Sequence, residues 1–342
     1  MRILVTGARG YLGSVLVPSL TDRGYEVEGL DAGWFEGHDF LPLGNGPWRQ
    51  KDVREVETAD LVGFDAVVHL AALSNDPLGE RDPNLTFDIN GSATVRLAEC
   101  AREAGVRRFV FASSCSVYGA LAEGCVATEL TPPRPLTAYA RAKLQAEAGL
   151  MHLGNAAFCA TVLRFATAYG VAPRLRLDLV ANNLVAWAMA TGEIRLQSDG
   201  KAWRPLVYVR DMASAIIAVL EAPHDLVAGR TFNVGSDENN VTVMELAHWV
   251  AAVCPGTRIV APSTPTHDRR TYRVSFAHWA NTFPECVPST QLVDALRAMA
   301  AEFQARALTE ADLWSRRFER LAQLERLERC GKIGADLRWR GD

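Results

Sequence analysis

The first half of the chain alternates short apolar runs with longer segments in which apolar residues recur every three to four positions. The short runs predict β-strands at residues 2–6, 26–30, 66–70, 109–112 and 161–165. The longer segments predict helices at residues 12–23, 93–104 and 138–153. Strands that are apolar almost throughout are typical of a parallel sheet with helices on both faces. We therefore predict an α/β fold built on a doubly wound parallel sheet.

This regular alternation ends after about residue 165. Residues 174–192 predict a helix, residues 203–209 an extended segment, and residues 232–235 one more short strand. A smaller, interleaved substrate domain is therefore expected. We assign residues 1–165 and about 207–235 to the sheet domain, and about 166–206 and 236–342 to the smaller one. Residues 310–329 predict a single amphipathic helix, for which packing against the body of the protein is favoured over a partner interface.

Composition narrows the functional classes. The chain has 342 residues, 36 basic and 40 acidic residues, and a net charge of −4, so no basic field would attract nucleic acid or anionic lipid. The seven cysteines include no C-x-x-C pair and predict reduced thiols. No histidine or cysteine spacing indicates a metal site. The first strand begins at once and no long apolar run occurs, so we expect a cytoplasmic protein with no membrane segment.

A glycine-rich turn follows the first predicted strand. Gly7, Gly10 and Gly13 stand in T-G-A-R-G-Y-L-G, directly before a predicted helix. Such glycines let the backbone approach a diphosphate at the helix N-terminus. Asp31 ends the second strand, where a carboxylate can accept hydrogen bonds from the adenosine ribose and repel a 2′-phosphate. NAD is therefore favoured as cofactor, while Arg9 within the turn leaves NADP open.

Tyr139 and Lys143 stand four residues apart in T-A-Y-A-R-A-K, on one face of a predicted helix. The lysine charge can lower the pKa of the phenol from about 10, as a base near neutral pH requires. Ser113 and Ser114 follow a strand and should emerge at the carboxyl edge of the sheet, where open α/β sheets bind ligands. These residues form a candidate catalytic set.

Taken together, the motifs resemble those of the extended short-chain dehydrogenase/reductases, and among them the nucleotide-sugar epimerase/dehydratase family. They cover about residues 1–280: T-G-A-R-G-Y-L-G, Asp31, Asp52-Val53, H-L-A-A at 69–72, Asn90-Gly91, S-S-C-S-V-Y-G at 113–119, Y-A-R-A-K, L-R-F-A-T-A-Y-G at 163–170, Y-V-R-D at 208–211 and F-N-V-G at 232–235. The resemblance implies a Rossmann-type fold, with Ser114 as catalytic serine, Tyr139 as acid/base and Lys143 as its ribose-binding partner. It also implies an NAD site lined by Tyr11, Leu12, Asp52, Val53, Leu70, Ala71, Ala72 and Asn90.

The same resemblance implies a nucleotide-sugar substrate. Asn183 and Leu184 stand where these enzymes hold the diphosphate, and Arg204 stands where an arginine grips phosphate. An arginine fork on phosphate is physically reasonable in an acidic protein. Arg270 is a candidate for a second phosphate contact, with Arg269 and Arg273 as alternatives. Homodimerisation through the helices at 93–104 and 138–153 is also implied.

The residues between Ser114 and Tyr118 help to choose among reactions. Hexose 4,6-dehydratases of the family carry T-D-E in this stretch, because elimination of water needs a further acid and base. Cys115 and Ser116 supply neither, and Ser116 replaces the glutamate of the UDP-glucuronate decarboxylases. Fucose-synthase-type 3,5-epimerases place a cysteine two residues before the tyrosine, where this chain has Ser116. Cys115 is interpreted as a packing residue and His69 as a structural histidine.

This pattern favours 4-epimerisation through a transient 4-keto sugar. The alternative is an NAD(P)H-dependent 4-ketoreductase or dehydrogenase acting on an NDP-sugar or a related natural-product intermediate. A non-catalytic, nucleotide-bound sensor of the same fold is a third reading, since a fold does not fix a function. The complete set of Ser114, Tyr139 and Lys143 disfavours it, because a sensor has no need of that set.

Overall fold

The computed structural model describes residues 1–44, 46–262 and 270–341. Its strands are β1 (Arg2–Thr6), β2 (Glu26–Asp31), β3 (Trp48–Gln50), β4 (Ala66–His69), β5 (Arg108–Ser114), β6 (Val126–Ala127), β7 (Cys159–Phe165), β8 (Thr167–Tyr169), β9 (Glu193–Arg195), β10 (Trp203–Tyr208), β11 (Arg230–Val234), β12 (Asn240–Thr242), β13 (Arg258–Val260) and β14 (Arg273–Val274). Its helices are α1 (Gly13–Asp22), α2 (Asp76–Arg81), α3 (Pro83–Thr86), α4 (Ala93–Glu103), α5 (Ala138–Leu153), α6 (Val180–Thr191), α7 (Val209–Glu221), α8 (His224–Val227), α9 (Val243–Val253), α10 (Ala277–Thr282), α11 (Leu292–Ala305), α12 (Glu310–Trp314) and α13 (Arg320–Arg329).

Seven parallel strands form the main sheet, in the order β11-β7-β5-β4-β1-β2-β3. Apolar residues of α1 and α7 pack on one face, and those of α4 and α5 pack on the other. The chain runs outward from β1 to β3 and then returns to continue on the other side of β1 with β4. Such a reversal opens a crevice at the carboxyl ends of the strands, where ligands bind. The predicted Rossmann-type α/β fold is confirmed.

Most elements predicted from the apolar pattern are present. All six predicted strands of the main sheet occur within two residues of their expected ends, and the helix predicted at 138–153 is α5 itself. The helix predicted at 174–192 begins only at Val180. The preceding residues are held in an irregular path, in which Arg176 pairs with Asp178 and the Asn182 amide donates to the Arg176 carbonyl at 2.9 Å. Apolar periodicity carries no information about these polar contacts.

A smaller region covers the carboxyl edge of the main sheet. Strands β12, β10 and β8 form a short sheet, and two further pairs join β13 to β9 and β14 to β6. Helices α6, α9 and α11 bury Leu184, Leu246 and Leu296 in a separate apolar core. In the described ranges, no helix is both long and apolar enough to cross a membrane.

The sequence predicted a single helix in the tail, but the structure has two helices there. The tail breaks between α12 and α13, where Arg316 has a left-handed backbone with φ of 54°. Leu313 and Phe318 pack in the core of the smaller region, whereas Leu324 and Leu327 pack in the core beneath the main sheet. A straight helix could not reach both cores, so the chain turns between them. The predicted grouping of residues 236–342 thus contains a segment that returns to the main sheet.

Candidate active site

The carboxyl edge of the main sheet opens into a cleft of about 860 Å³. It is bounded by loops after β1, β2, β4 and β5 on one side and by the smaller region on the other. All but one of the residues that the sequence proposed for the site line this cleft: Gly7, Gly10, Tyr11, Leu12, Gly13, Asp31, Asp52, Val53, Leu70, Ala71, Ala72, Ser114, Tyr139, Lys143, Asn183, Leu184, Arg204 and Arg270. Residues separated by up to 263 positions in sequence, from Gly7 to Arg270, are thereby brought together.

The glycine turn fits the close approach of a diphosphate. Gly7 has φ of +69°, and a Cβ there would stand 2.7 Å from the backbone nitrogen of Ala71. A Cβ on Gly13 would stand 2.2 Å from the Gly7 carbonyl oxygen, so only glycine lets α1 begin this close to β1. The backbone N–H groups of Tyr11 and Leu12 donate a hydrogen bond to no acceptor among the described residues. These two donors at the start of α1 suit an anion.

The adenosine end of the predicted dinucleotide site is marked by Asp31. Its carboxylate accepts hydrogen bonds from the backbone N–H groups of Arg9 at 3.0 Å and Gly33 at 2.9 Å, and burial raises its pKa. The Arg9 guanidinium is bound by both oxygens of Glu36, at 2.5 and 2.6 Å, and lies over the Trp48 ring. With Arg9 engaged by an acid and the Asp31 carboxylate lining the cleft, the residues present fit NAD better than a 2′-phosphorylated cofactor.

Asn90 is the one proposed site residue that does not line the cleft. It is fully buried in a π-helical turn at Phe87–Ser92. Its side-chain oxygen accepts from the Leu73 N–H at 2.8 Å, and its amide donates to the Leu73 carbonyl at 3.0 Å. Asn90 therefore shapes the cofactor-side loop after β4 from behind instead of facing a ligand.

The candidate catalytic residues lie at the ends of regular elements. Ser114 ends β5, and its hydroxyl accepts from the Ser116 N–H at 3.1 Å. Tyr139 and Lys143 lie on successive turns of α5, which is capped by the hydroxyl of Thr137. Lys143 is buried and donates from Nζ to the Ala112 carbonyl at 2.8 Å. Secondary structure thus positions the three side chains before any ligand arrives.

The electrostatics of this set differ from the expectation. Burial, followed by the charge of Asp76, raises the pKa of Tyr139 to about 12, while Arg176 and a hydrogen bond with Ser114 lower it. The Lys143 ammonium lies 5.9 Å from the centre of the Tyr139 ring, and burial lowers the pKa of Lys143 itself to about 7. A cation that lowers the pKa of Tyr139 is Arg176, which the sequence analysis missed. Arg176 lies in an irregular segment with no recognised motif, so no sequence signal marked it.

A buried polar network lies beneath Lys143. Glu147, one turn further along α5, pairs with Arg164 of β7 at 2.6 Å and accepts from the Ser113 hydroxyl. Arg164 also donates to the Tyr118 hydroxyl at 3.0 Å. The network ties α5 to β5 and β7. It contains the partners that a buried carboxylate and guanidinium need.

Cys115 and His69, which the sequence analysis interpreted as structural residues, are both buried and hydrogen-bonded within the protein. Burial raises the pKa of Cys115, whose thiol contacts the Arg164 carbonyl at 3.1 Å. A thiol held protonated in this way is a poor nucleophile. His69 lies between the hydroxyls of Thr6 and Thr94 at 2.7 and 2.9 Å, and burial lowers its pKa to about 3.

The opposite wall of the cleft carries the residues proposed for the sugar nucleotide. Asn183 donates to the Leu177 carbonyl at 3.0 Å. Arg204 donates to the carbonyls of Trp203, at 2.8 Å, and Arg270. The Arg270 guanidinium pairs with Asp76 at 2.6 Å. Of the alternatives to Arg270, Arg273 lies over the Trp203 ring and not in the cleft wall, and position 269 lies outside the described residues.

The tail supplies a part of the cleft that the sequence analysis did not anticipate. Arg316, Glu319, Arg320 and Leu321, at and before the start of α13, line the same cavity. In sequence these arginines belong to an amphipathic pattern with many charged positions. Nothing in that pattern separates a side chain that faces a cleft from one that faces solvent.

Comparison with known protein families agrees with this fold and this site. Residues 3–235 match the model of the NAD dependent epimerase/dehydratase family. The match spans more than half of the chain, and the protein belongs to this family. It is therefore an NAD-dependent enzyme of the extended short-chain dehydrogenase/reductase type, as the motifs predicted.

Individual relatives carry related names. The chain is 34% identical over 256 residues to YtcB of Bacillus subtilis (strain 168), an uncharacterized UDP-glucose epimerase, covering 70% of this chain and 78% of YtcB. Its fold is similar to that of TunA, an NAD dependent NDP-hexosamine 5,6-dehydratase of tunicamycin biosynthesis, with a TM-score of 0.80, 25% identity and coverage of 90% and 99%. It is also similar to the UDP-glucose 4-epimerase of Thermus thermophilus in complex with NAD, with a TM-score of 0.75, 27% identity and coverage of 89% and 99%.

Proposed function

We propose that the protein is a nucleotide-sugar 4-epimerase that works through a transient 4-keto sugar. One observation carries this proposal: Ser114, Tyr139 and Lys143 meet in a cleft that has the glycine turn on one side and Arg204 with Arg270 on the other. The cleft thus has a cofactor end, a reacting centre and an anion-binding end in one cavity. The names of YtcB and of the Thermus enzyme support the same reaction.

The chain's own residues supply acid–base chemistry. Tyr139 takes the proton of the C4 hydroxyl, and the Ser114 hydroxyl hydrogen-bonds the same sugar oxygen as its charge changes. The glycine turn, Asp31 and the loop after β4 would hold NAD, which would supply reversible hydride transfer at C4. Tyr139 gives the proton back to the C4 oxygen, and because the sugar regains both hydride and proton, the reaction involves no net oxidation.

The remaining side chains of the reacting centre favour epimerisation over elimination of water. Cys115 is buried away from the cleft and Ser116 is the side chain at its wall, so neither supplies a second acid or base. The nearby carboxylate of Asp76 is held on one oxygen by the Thr137 hydroxyl, at 2.7 Å, and on the other by Arg270. Because both of its oxygens are engaged, this carboxylate is not placed to act as a second acid or base.

We also propose that the enzyme is a cytoplasmic homodimer formed through α4 and α5. These helices are neighbours, because Gly149 of α5 packs against the side chain of Val95 of α4. Sedimentation of the purified protein should give twice the monomer mass. A monomer at micromolar concentration would exclude this interface.

The experiment that tests the reaction needs no added cofactor. The purified protein is denatured, the released nucleotide is identified by mass spectrometry, and native protein is offered UDP-, dTDP-, GDP- and CDP-sugars. We expect released NAD and a product inverted at C4, identified by NMR. Turnover that requires added NADH or NADPH would show a ketoreductase, and a product lighter than the substrate by one water would show a dehydratase. Binding of NAD and sugar nucleotide with no turnover at all would favour the sensor.

A further inference from the structure

The tail places a buried guanidinium at the cofactor end of the cleft. Arg320 opens α13, is 3% exposed and lines the cavity. Its Nη2 donates to the Arg174 carbonyl at 3.0 Å, and its guanidinium lies 4.2 Å from the centre of the Phe35 ring. Phe35 belongs to the loop that follows Asp31. Arg320 is thus anchored between the cofactor-side loop and the segment around Arg174.

Arg320 differs from the neighbouring arginines in having no carboxylate at ion-pair distance among the described residues. Arg174 pairs with Glu36 and Asp39, and Arg176 pairs with Asp178. Arg320 forms no ion pair with any residue that the structure describes. Burial and the charges of Arg176 and Arg174 lower its pKa to about 9, although the more distant carboxylates of Asp178 and Asp31 oppose this shift. A buried cation with no carboxylate at ion-pair distance is costly, and an anionic ligand in the cleft would reduce that cost.

The position of Arg320 indicates which anion this is. The segment that contains Arg174 packs on the start of α1, because Tyr11 donates to the Gly170 carbonyl at 2.6 Å and the Arg174 N–H contacts the Ser14 hydroxyl. The available N–H groups of the glycine turn lie at this same helix start. Of the parts of a nicotinamide dinucleotide, only the diphosphate is anionic, since the adenosine is neutral and the oxidised nicotinamide is cationic.

The tail is bound to the cofactor-side loop by several contacts, which fixes where Arg320 can lie. Gln323 donates to the Trp34 carbonyl at 2.8 Å, and the Trp34 indole donates to the Leu337 carbonyl at 3.1 Å. The Trp339 indole donates to the Ala32 carbonyl at 2.6 Å. The segment from Arg320 to Trp339 therefore crosses the loop after β2 and presents Arg320 to the cleft on a fixed support.

We propose that Arg320 binds the diphosphate of NAD, together with the N–H groups of the glycine turn, so that the C-terminal segment is a working part of the cofactor site. The planar fork of an arginine matches two phosphate oxygens at once. This proposal rests on the NAD site of the proposed function and adds to it a group from outside the matched residues 3–235. It gives the tail a role in retaining the cofactor between turnovers, which an epimerase requires.

The test compares full-length wild type with Arg320→Met, Arg320→Lys and the control Arg329→Met, whose side chain is exposed on the same helix. Protein loaded with NAD is passed through gel filtration, and the bound NAD is followed with time. We expect about 10- to 100-fold faster release from Arg320→Met, a smaller effect of Arg320→Lys and none of Arg329→Met. On NAD-stripped protein, Arg320→Met should weaken ADP-ribose by a similar factor and leave adenosine unchanged.

Several outcomes would overturn the proposal. A folded Arg320→Met protein that releases NAD at the wild-type rate would make Arg320 a structural residue. Weakened binding of UDP with unchanged ADP-ribose would move it to the diphosphate of the sugar nucleotide. If Arg320→Met does not fold, hydrogen exchange of wild type decides: ADP-ribose should protect residues 316–327 and adenosine should not, and equal protection would contradict the proposal. Failure of the proposed reaction shows separately, as missing C4-inverted product from wild type.

Discussion

The two walls of the cleft hold their functional side chains in different ways. On the wall of the main sheet, Ser114 and Tyr139 lie at the end of a strand and in the first turn of a helix, where backbone hydrogen bonds determine their positions. On the facing wall, Arg204 and Arg270 extend from the smaller region, and at the cofactor end of the cleft Arg320 extends from the tail. Carbonyl groups or a carboxylate distant in sequence hold these arginines. The comparison indicates that the side chains proposed for the reaction lie on regular, rigid elements, whereas the side chains proposed for binding come from segments far apart in sequence.

This division predicts that chemistry and binding can be separated by substitution. Loss of a group on the sheet wall should lower kcat and leave ligands bound. Loss of a guanidinium on the facing wall should weaken one ligand and leave kcat nearly unchanged. Each prediction below tests one part of that division.

The largest effect is expected for Tyr139→Phe, which removes only the phenolic oxygen. Without the group that accepts and returns the proton, kcat should fall about 100- to 10,000-fold. The amount of NAD retained after gel filtration should stay at the wild-type level. The control Tyr25→Phe, a hydroxyl paired with Glu221 far from the cleft, should keep wild-type kcat. Near-normal turnover of Tyr139→Phe would remove this residue from the mechanism and break the comparison.

A smaller effect, confined to one ligand, is expected for Arg204→Ala. We expect the inhibition constant of UDP or dTDP to rise about 10- to 100-fold, because a charge-assisted hydrogen bond to phosphate is lost. NAD retention should not change. Arg273→Ala is the matched control, because that arginine lies on the Trp203 ring outside the cleft wall. If Arg273→Ala weakens UDP and Arg204→Ala does not, the two assignments are exchanged.

The smallest effect is expected in the pH dependence of kcat/KM, and it concerns the charged side chains near Tyr139. The pKa of Tyr139 is raised to about 12, Arg176 lowers it and Asp76 raises it. Activity that needs the phenolate increases with pH, so a lower pKa moves the rising limb of kcat/KM to lower pH. Asp76→Asn should therefore shift that limb down by about one unit, and Arg176→Met should shift it up by a similar amount.

These two variants also check each other. Both replace a charged group in the cleft, so a general disturbance of the fold would move the two profiles in the same direction. Thermal unfolding of each variant shows whether the loss of the Arg176–Asp178 or Arg270–Asp76 pair is tolerated. Profiles that both coincide with the wild-type profile would show that neither charge reaches Tyr139 during turnover.

A large part of this molecule could be predicted from the amino-acid sequence because its signals are local. Strand and helix periodicity gave the parallel sheet, and a helix at 138–153 matched α5 at both ends. Glycine spacing and the four-residue separation of Tyr139 and Lys143 depend on backbone geometry within one or two turns. Such geometry is set by neighbours in sequence, so it can be recognised without the rest of the fold.

Other features depended on contacts between distant segments. Asn90 was expected in the cleft wall, but its amide is used by Leu73 across a buried loop. The tail was expected as one helix, but two separate cores draw Phe318 and Leu324 apart. Lys143 was expected to lower the pKa of Tyr139; burial raises this pKa to about 12, and Arg176 is a nearby cation that the sequence did not mark.

By itself, then, the sequence determined the sheet and the glycine turn, and it indicated the side chains that we propose as the reacting groups. Only the tertiary structure decided which charges surround Tyr139 and which arginine of the tail reaches the cofactor end of the cleft. The physical reason is that burial and electrostatic interactions depend on distances in space. The charges of Asp31 and Arg176 both act on Arg320, although Asp31 and Arg320 lie near opposite ends of the sequence.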